Sequence, residues 1–189
     1  MSQNTIFFDI ETTGLTVDDK VTVICTEQYE SGCRKVYNFA KAVTDEKKVT
    51  LCRELILDFD AATALCAYNG VRFDLPFMQR ALDIPIETIT QWVLKTSDIL
   101  EQMRLRDNAT CKLDYLCTLN GVTSKSSSGI EAIRMAAEGR WHELEEYCAN
   151  DVRILCDLYR KRILQHPVRR DTFVDLCAYV PPGFYENVQ

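Results

Sequence analysis

The sequence has only two histidines in 189 residues, and none of its cysteines are spaced as Cys-x-x-Cys. Structural zinc sites are built from such cysteine pairs and from histidines, so a zinc site has little support here. No apolar run approaches the roughly 18 residues that cross a bilayer. The N-terminus reaches Asp9 and Glu11 too soon for the apolar core of a signal peptide. We therefore expect a soluble intracellular protein that binds no membrane; its compartment is not indicated.

Positive charge is also in deficit, with 22 lysines and arginines against 28 aspartates and glutamates and a formal net charge of −6. Binding along a nucleic-acid duplex without sequence preference depends on net positive charge, and this balance argues against it. Chemistry on nucleic acid at one local site remains open, because carboxylates that bind divalent cations are neutralised in the working protein.

Cysteine, in contrast, is abundant, with nine residues. An odd number cannot pair completely, and without a secretory signal we expect reduced thiols. Most of the cysteines lie in apolar segments, so we interpret them as small core side chains.

The order of the apolar segments predicts an α/β fold. We predict strands over Thr5–Glu11, Val21–Tyr29, Arg34–Phe39, Ala64–Tyr68 and Trp92–Thr96. We predict helices over 45–58, 75–82, 98–106, 112–119, 129–137 and 141–165. This order gives a mixed sheet of about five strands, the first three antiparallel, flanked by helices. We expect one domain over 1–189, in which 167–189 is a C-terminal tail that packs on the domain or forms a dimer contact.

Two carboxylates occupy the first predicted strand. Side chains alternate along a strand, so Asp9 and Glu11 point to the same face. Their neighbours Phe8 and Ile10 are apolar, and carboxylates in such a strand are costly to bury without a partner. The polar break that begins at Thr12 places the pair at a strand end, where oxygen ligands can hold hard divalent metals.

Two later segments carry further acids. Asp74 follows the turn Asn69-Gly70 and directly precedes a predicted helix, where it is either a functional acid or a helix N-cap. On the last long helix Tyr147 and Asp151 are four residues apart and share one face. Asp151 borders the apolar stripe of that helix, which is an unfavourable place for a charge without a partner.

Three motifs thus occur in a fixed order between Phe7 and about Tyr159: Asp-x-Glu on the first strand, Asn-Gly-x-x-Phe-Asp, and Tyr-x-x-x-Asp on a late helix. This constellation resembles the DEDD superfamily of 3′–5′ exonucleases, which includes the proofreading exonucleases of DNA polymerases, ribonuclease D and oligoribonuclease. The last motif is similar to that of the tyrosine variant, DEDDy. The segment that begins at Lys112 looks similar to the stand-alone, ribonuclease-H-like branch. The fold implied is ribonuclease-H-like.

The resemblance implies a metal-dependent 3′–5′ exonuclease that releases nucleoside 5′-monophosphates from the 3′ end of single-stranded DNA or RNA. Two divalent ions, Mg²⁺ or Mn²⁺, would be the cofactors. Asp9 would bridge the ions, Glu11 and Asp151 would hold the one on the side of the attacking water, and Asp74 would act on the other. Tyr147 would orient the water. A homodimer, or a polymerase or repair partner, is left open.

The resemblance also implies contacts with the terminal nucleotide from the loop after the first motif. The implied substrate-binding residues are Thr12, Thr13, Gly14, Leu15, Asn69 and Phe73. Three alternatives stay open at this point. They are a nucleic-acid-binding module of the same fold without turnover, a phosphoesterase that acts on small nucleotides, and a structural protein whose acids are caps and surface residues.

Overall fold

The computed structural model of the protein describes residues 4–123, 129–165, 167 and 173–175. The strands are β1 (Thr5–Thr12), β2 (Val21–Gln28), β3 (Arg34–Asn38), β4 (Ala64–Ala67), β5 (Thr96–Asp98), β6 (Ile163–Gln165) and β7 (Phe173–Asp175). The helices are α1 (Asp45–Ala61), α2 (Asp74–Ala81), α3 (Ile86–Leu94), α4 (Ile99–Asp107), α5 (Leu113–Leu119), α6 (Gly129–Ala137) and α7 (Trp141–Arg160).

Five strands form one mixed sheet in the order β3-β2-β1-β4-β5. The first three strands pair antiparallel, whereas β4 pairs parallel to β1 and β5 pairs parallel to β4. The predicted sheet is therefore confirmed, and β1 lies at its centre. The two edges differ, because β3 presents the exposed side chains of Arg34 and Lys35 while β5 has only three residues.

Both faces of the sheet are covered, which explains why β1 is apolar nearly throughout. Because side chains alternate along a strand, Phe7 enters one core and Phe8 enters the other. The Phe7 core contains buried residues of α4, α5, α6 and α7. The Phe8 core contains buried residues of α1, α2 and α3, including Phe59 and Trp92, whose ring centroids are 4.8 Å apart.

Two predicted elements are wrong at their ends. Trp92 lies on helix α3, where its indole nitrogen donates to Asp60 Oδ1 at 2.7 Å, and the fifth strand begins only at Thr96. A short apolar run fits a buried helix as well as a strand, so its pattern does not separate the two. The last long helix ends at Arg160, because Arg162 adopts a left-handed conformation with φ of 59° and Ile163–Gln165 pairs with β7.

All eight cysteines in the described part of the chain are free. Five of them are buried, and the expectation of core thiols is confirmed for Cys25, Cys66, Cys117, Cys148 and Cys156. Cys33 is exposed, and Cys177 lies outside the described residues.

Other predictions fall largely outside the described residues. The tail over 167–189 is described only at 167 and 173–175, so the packing of the tail and the single-domain extent stay predictions. Strand β7 lies within this tail and pairs with β6, which falls inside the helix predicted over 141–165. Within the described residues, no helix is both long and apolar enough to span a membrane.

Candidate active site

The carboxyl end of β1 places two acids beside helix α7. Asp9 lies opposite Cys25 and Glu11 lies opposite Val23 in the antiparallel ladder with β2, so both acids face the core that contains α7. The register shifts between Glu11 and Thr12, which ends regular pairing at this point. Glu11 is buried and Asp9 is partly buried. The strand thus brings both carboxylates to the rim of the sheet.

Asp74 reaches the same rim from the opposite side of β1. The parallel ladder between β1 and β4 ends at the pair Phe7 and Cys66, and the backbone N–H of Ile10 lies beyond it. Asp74 Oδ1 accepts a hydrogen bond from this N–H at 3.2 Å. The Asp74 side chain makes no cap of helix α2, whose N-cap is Phe73. The alternative of a helix N-cap is therefore wrong, and the acid is buried against β1.

Helix α7 supplies the third part of the site. The Tyr147 hydroxyl hydrogen-bonds to the Asp151 carboxylate one turn later on the helix. Cys148, which is fully buried, donates from Sγ to the backbone oxygen of Asp9 at 3.4 Å and contacts Asp9 Oδ2 at 3.7 Å. The helix is thereby fixed directly against the acidic end of β1.

The five predicted catalytic residues meet at one place in the fold. The closest group consists of Asp9, Glu11 and Cys148, whose ligating atoms all lie within 4.8 Å of one another. Asp74 and Asp151 stand outside this group of three, but their charges act on both Asp9 and Glu11. The arrangement is an acidic cluster lined by one thiol.

Burial and mutual repulsion make the cluster resist ionisation. Burial first, and neighbouring carboxylates second, raise the pKa of Asp9 and of Glu11 well above the usual range. Burial, followed by the charge of Asp98, raises the pKa of Asp74 to about 7. Burial, followed by the charge of Asp114, raises the pKa of Asp151 to about 6.

The described residues supply no counter-charge to this cluster. Across these ranges of the chain, none of its four carboxylates forms an ion pair with lysine, arginine or histidine. Buried carboxylates without such partners fit divalent cations, which both ionise and neutralise them. The donor set is mostly oxygen and therefore suits hard ions such as Mg²⁺ and Mn²⁺.

Sequence reasoning missed two residues of the site. Asp98 lies at the end of β5, where its carboxylate accepts backbone N–H groups from Asn69 at 2.9 Å, Val71 at 2.9 Å and Glu101 at 3.1 Å. It thereby fixes the turn that leads from β4 to Asp74. Cys148 is the other. Its signal was its position next to Tyr147 and one turn before Asp151, but its apolar neighbours made it look like an ordinary core residue.

The last residue of β1 and the loop after it contain four of the predicted substrate-binding residues. Thr12 is buried and donates to the Gly14 carbonyl oxygen at 2.6 Å, whereas Thr13 donates to Asp19 Oδ1 at 2.8 Å. A Cβ on Gly14 would come within 2.6 Å of Asp19 Oδ2, so a larger residue here would displace the Asp19 carboxylate. Leu15 is 72% exposed at the tip. Asp19 therefore shapes a loop that leaves Leu15 exposed, and substrate contact by the loop stays a prediction.

The other two predicted substrate-binding residues lie between β4 and α2. Asn69 has a left-handed backbone with φ of 70°, and its side-chain oxygen accepts from Arg104 at 2.9 Å. Phe73 is partly buried and its ring lies 5.6 Å from that of Phe77. Both residues have structural partners here, and substrate contact by either stays a prediction.

The raised pKa values predict how pH affects the metal-free protein. The pKa of Asp74 is about 7 in the folded chain and about 4 in an unfolded one, so the folded state binds more protons between these values. The free energy of unfolding should therefore fall as pH rises from 4 to 7, by about 3 kcal/mol for this group. Urea denaturation in EDTA at several pH values measures the effect.

The variant Asp74→Asn is the matched control for this pH series. It removes the titrating carboxyl, so the decrease in unfolding free energy between pH 4 and 7 should become smaller. Addition of Mg²⁺ at pH 8 should restore stability to the original protein, because an ion that binds only the folded state stabilises it. A stability that rises with pH over this window would contradict the buried acidic cluster.

Comparisons with known proteins agree with this architecture. The family B DNA polymerase from the hyperthermophilic archaeon Pyrobaculum calidifontis has a structure similar to 85% of this chain, with a TM-score of 0.61 and 18% sequence identity. This chain spans 24% of that polymerase chain, and at this identity the likeness concerns the fold. Among curated proteins, none matches the sequence.

A family model also covers most of the sequence. The RNase H superfamily model matches residues 6–163, which include all of β1 but its first residue, all of α7 and every residue of the acidic cluster. The expected ribonuclease-H-like α/β fold, with its mixed five-stranded sheet, is confirmed. The chain belongs to the RNase H superfamily.

Proposed function

We propose that this protein is a metal-dependent 3′–5′ exonuclease of the DEDDy type, which hydrolyses single-stranded DNA or RNA to nucleoside 5′-monophosphates. The observation that carries the proposal is the buried cluster of Asp9, Glu11, Asp74 and Asp151 at the end of β1, which has no cationic partner among the described residues, with Tyr147 hydrogen-bonded to Asp151. Membership of the RNase H superfamily supports nuclease chemistry.

The four carboxylates would hold two divalent ions, Mg²⁺ or Mn²⁺. The charges of Glu11, Asp74 and Asp151 all act on Asp9, which supports a role in which Asp9 would help to hold both ions. Glu11 and Asp151 would help to hold the ion on the side of the attacking water, and Asp74 would act on the other ion. When bound, such ions stabilise the charge that develops on the attacking and leaving oxygens.

Tyr147 would orient the attacking water. Burial, and then the charge of Asp151, raise the pKa of the Tyr147 hydroxyl above its ordinary value of about 10, so the hydroxyl is neutral at physiological pH. A neutral hydroxyl can donate one hydrogen bond and accept others, which suits positioning rather than proton removal. The water would attack the terminal phosphodiester, and the leaving group is the 3′ oxygen of the preceding nucleotide.

The substrate would be a single-stranded 3′ end. The exposed Leu15 at the tip of the loop, with Thr12, Thr13 and Gly14 beneath it, would contact the terminal nucleotide, and Asn69 and Phe73 would border it. A net charge of −6 suits a short strand end better than a long duplex. The similar solved structure is a family B DNA polymerase, which makes a polymerase a reasonable partner to test.

A strand-degradation assay tests the function. A 5′-labelled RNA and a DNA of the same sequence are incubated with Mg²⁺, Mn²⁺ or EDTA, and the products are separated by length. A ladder of shortening products that requires the metal would support the proposal and reveal the sugar preference. Absence of cleavage with both strands and both metals would favour a binding module of the same fold, or a phosphoesterase that acts on small nucleotides.

The variant Tyr147→Phe separates positioning from metal binding. Removal of one oriented hydroxyl should lower the turnover number about 10- to 100-fold. The increase in melting temperature on addition of Mn²⁺ should remain, because no proposed ligand is lost. Single-turnover kinetics and thermal melts measure the two effects. Equal loss of turnover and of metal stabilisation would contradict an orienting role for Tyr147.

A further inference from the structure

A thiol that the proposed chemistry does not use lies within the acidic cluster. Cys148 Sγ belongs to the group whose ligating atoms lie within 4.8 Å of one another, with Asp9 and Glu11. Its polar contacts are the backbone oxygen of Asp9 at 3.4 Å, Asp9 Oδ2 at 3.7 Å and the thiol of Cys25. Cys148 is fully buried, so this sulfur faces the cluster and not solvent.

The position of Cys148 is fixed by secondary structure on both sides. Its helix packs on β1, and Cys25 lies opposite Asp9 in the β1–β2 ladder. Cys25 is 1% exposed and hydrogen-bonds to Cys148, which holds the second thiol behind the first. The sulfur of Cys148 is therefore held beside the carboxylates by the packing of the fold.

Sulfur changes the ion preference of a site. Carboxylates and water suit Mg²⁺ and Mn²⁺, whereas a thiolate selects softer ions such as Zn²⁺ and Cd²⁺. Zinc ligands lie about 2.0–2.3 Å from the ion, which places them roughly 3.5 Å apart in a tetrahedral site. The three atoms need to approach one another by only about 1 Å to share such an ion. Two carboxylates and one thiolate would carry more negative charge than the ion carries positive.

We propose that Asp9, Glu11 and Cys148 form a binding site for a thiophilic divalent ion, Zn²⁺ or Cd²⁺, which excludes Mg²⁺ and Mn²⁺ from the same carboxylates. On binding, the Cys148 S–H bond breaks, the proton passes to solvent and a sulfur–metal bond forms, with no change in oxidation state. Inhibition of strand cleavage by such an ion rests on the proposed function, whereas the binding itself does not.

Cadmium binding tests the site without nucleic acid. Metal-free protein is titrated with Cd²⁺, and the charge-transfer absorption of the thiolate–Cd²⁺ bond is followed in the ultraviolet. The original protein should develop this absorption with one equivalent of Cd²⁺. Cys148→Ser and Cys148→Ala should lose it, and Glu11→Gln should weaken Cd²⁺ affinity at least about 10-fold with the thiol intact. Cys33→Ser, which removes an exposed thiol, is the matched control and should behave as the original.

Competition with Mn²⁺ needs no substitution. The electron paramagnetic resonance signal of free Mn²⁺ should increase as Cd²⁺ displaces Mn²⁺ from the original protein, in step with the ultraviolet absorption. An unchanged absorption in Cys148→Ala, or Cd²⁺ binding that leaves Mn²⁺ in place, would overturn the proposal. These results are independent of nuclease activity. If the protein cleaves strands but binds Cd²⁺ elsewhere, the proposed function stands and only the proposed Cd²⁺ site is wrong.

Discussion

Replacing Asp9 by asparagine is expected to lower metal-dependent strand cleavage by about a thousandfold. Asp9 lies at the centre of the cluster, where Glu11, Asp74 and Asp151 all act on its charge, so its loss affects both proposed ion positions. Asparagine has nearly the same shape, and its side-chain oxygen is a weak metal ligand without charge. The effect is therefore one of charge and not of packing.

The same substitution should stabilise the protein when no metal is present. Removal of one buried carboxyl relieves repulsion among the remaining acids, and we expect an increase of about 1–2 kcal/mol in the free energy of unfolding at pH 8 in EDTA. The original protein should gain stability from Mn²⁺ and Asp9→Asn should gain much less. Activity and stability would thus change in opposite directions, as is common where a site carries strained charges.

Strand degradation and urea denaturation, each with and without Mn²⁺, measure these two effects. Asp18→Asn is the control, because Asp18 is an exposed acid in the same loop region and lies outside the cluster. It should leave both activity and stability near their original values. Cleavage by Asp9→Asn at more than a tenth of the original rate would contradict the central role of Asp9.

Replacing Asp98 by alanine is expected to lower the free energy of unfolding by about 4 kcal/mol. Asp98 is fully buried, and its Oδ1 accepts N–H groups from Asn69 and Glu101 while its Oδ2 accepts the N–H of Val71. Alanine would leave three backbone donors without acceptors, and each such buried group costs about 1–3 kcal/mol. The turn that positions Asp74 would also lose its anchor.

Asparagine at position 98 provides a graded comparison. Its single carbonyl oxygen can still accept from Asn69 and Glu101, so Asp98→Asn should lose about half as much stability as Asp98→Ala. Urea denaturation of both variants, with the exposed Asp18→Ala as control, measures the difference. If Asp98→Ala changed the free energy of unfolding by less than about 0.5 kcal/mol, which is the usual range for an exposed substitution, the anchoring role would be wrong.

Local periodicity was enough to predict the acids on β1 and α7. Asp9 and Glu11 follow from the alternation of a strand, and Tyr147 and Asp151 follow from the spacing of a helix. Both rules depend only on neighbouring residues. The structure places all four side chains at the carboxyl end of β1, where alternation and helical spacing together predict them.

Contacts between distant parts of the chain could not be predicted in the same way. The Asp74 side chain accepts a hydrogen bond from the N–H of Ile10, which is 64 residues away in sequence, and its catalytic role stays a prediction. Asp98 accepts backbone N–H groups from Asn69 and Val71, which are 29 and 27 residues earlier in sequence. Helices α2 and α3 lie between them, and nothing near Asp98 in sequence reveals this contact. The end of α7 likewise depends on pairing between β6 and β7 rather than on a break in its apolar stripe.

The two edges of the sheet bear on how copies of this chain would associate. An unpaired strand edge is a template for sheet extension and aggregation, which charged side chains and short edge strands suppress. Arg34 pairs with Glu27 and Lys35 pairs with Asp58 along β3, and β5 offers only three residues. Joining two sheets edge to edge is therefore disfavoured at both ends. A homodimer of this chain would be built on its helices or loops and would not extend the sheet.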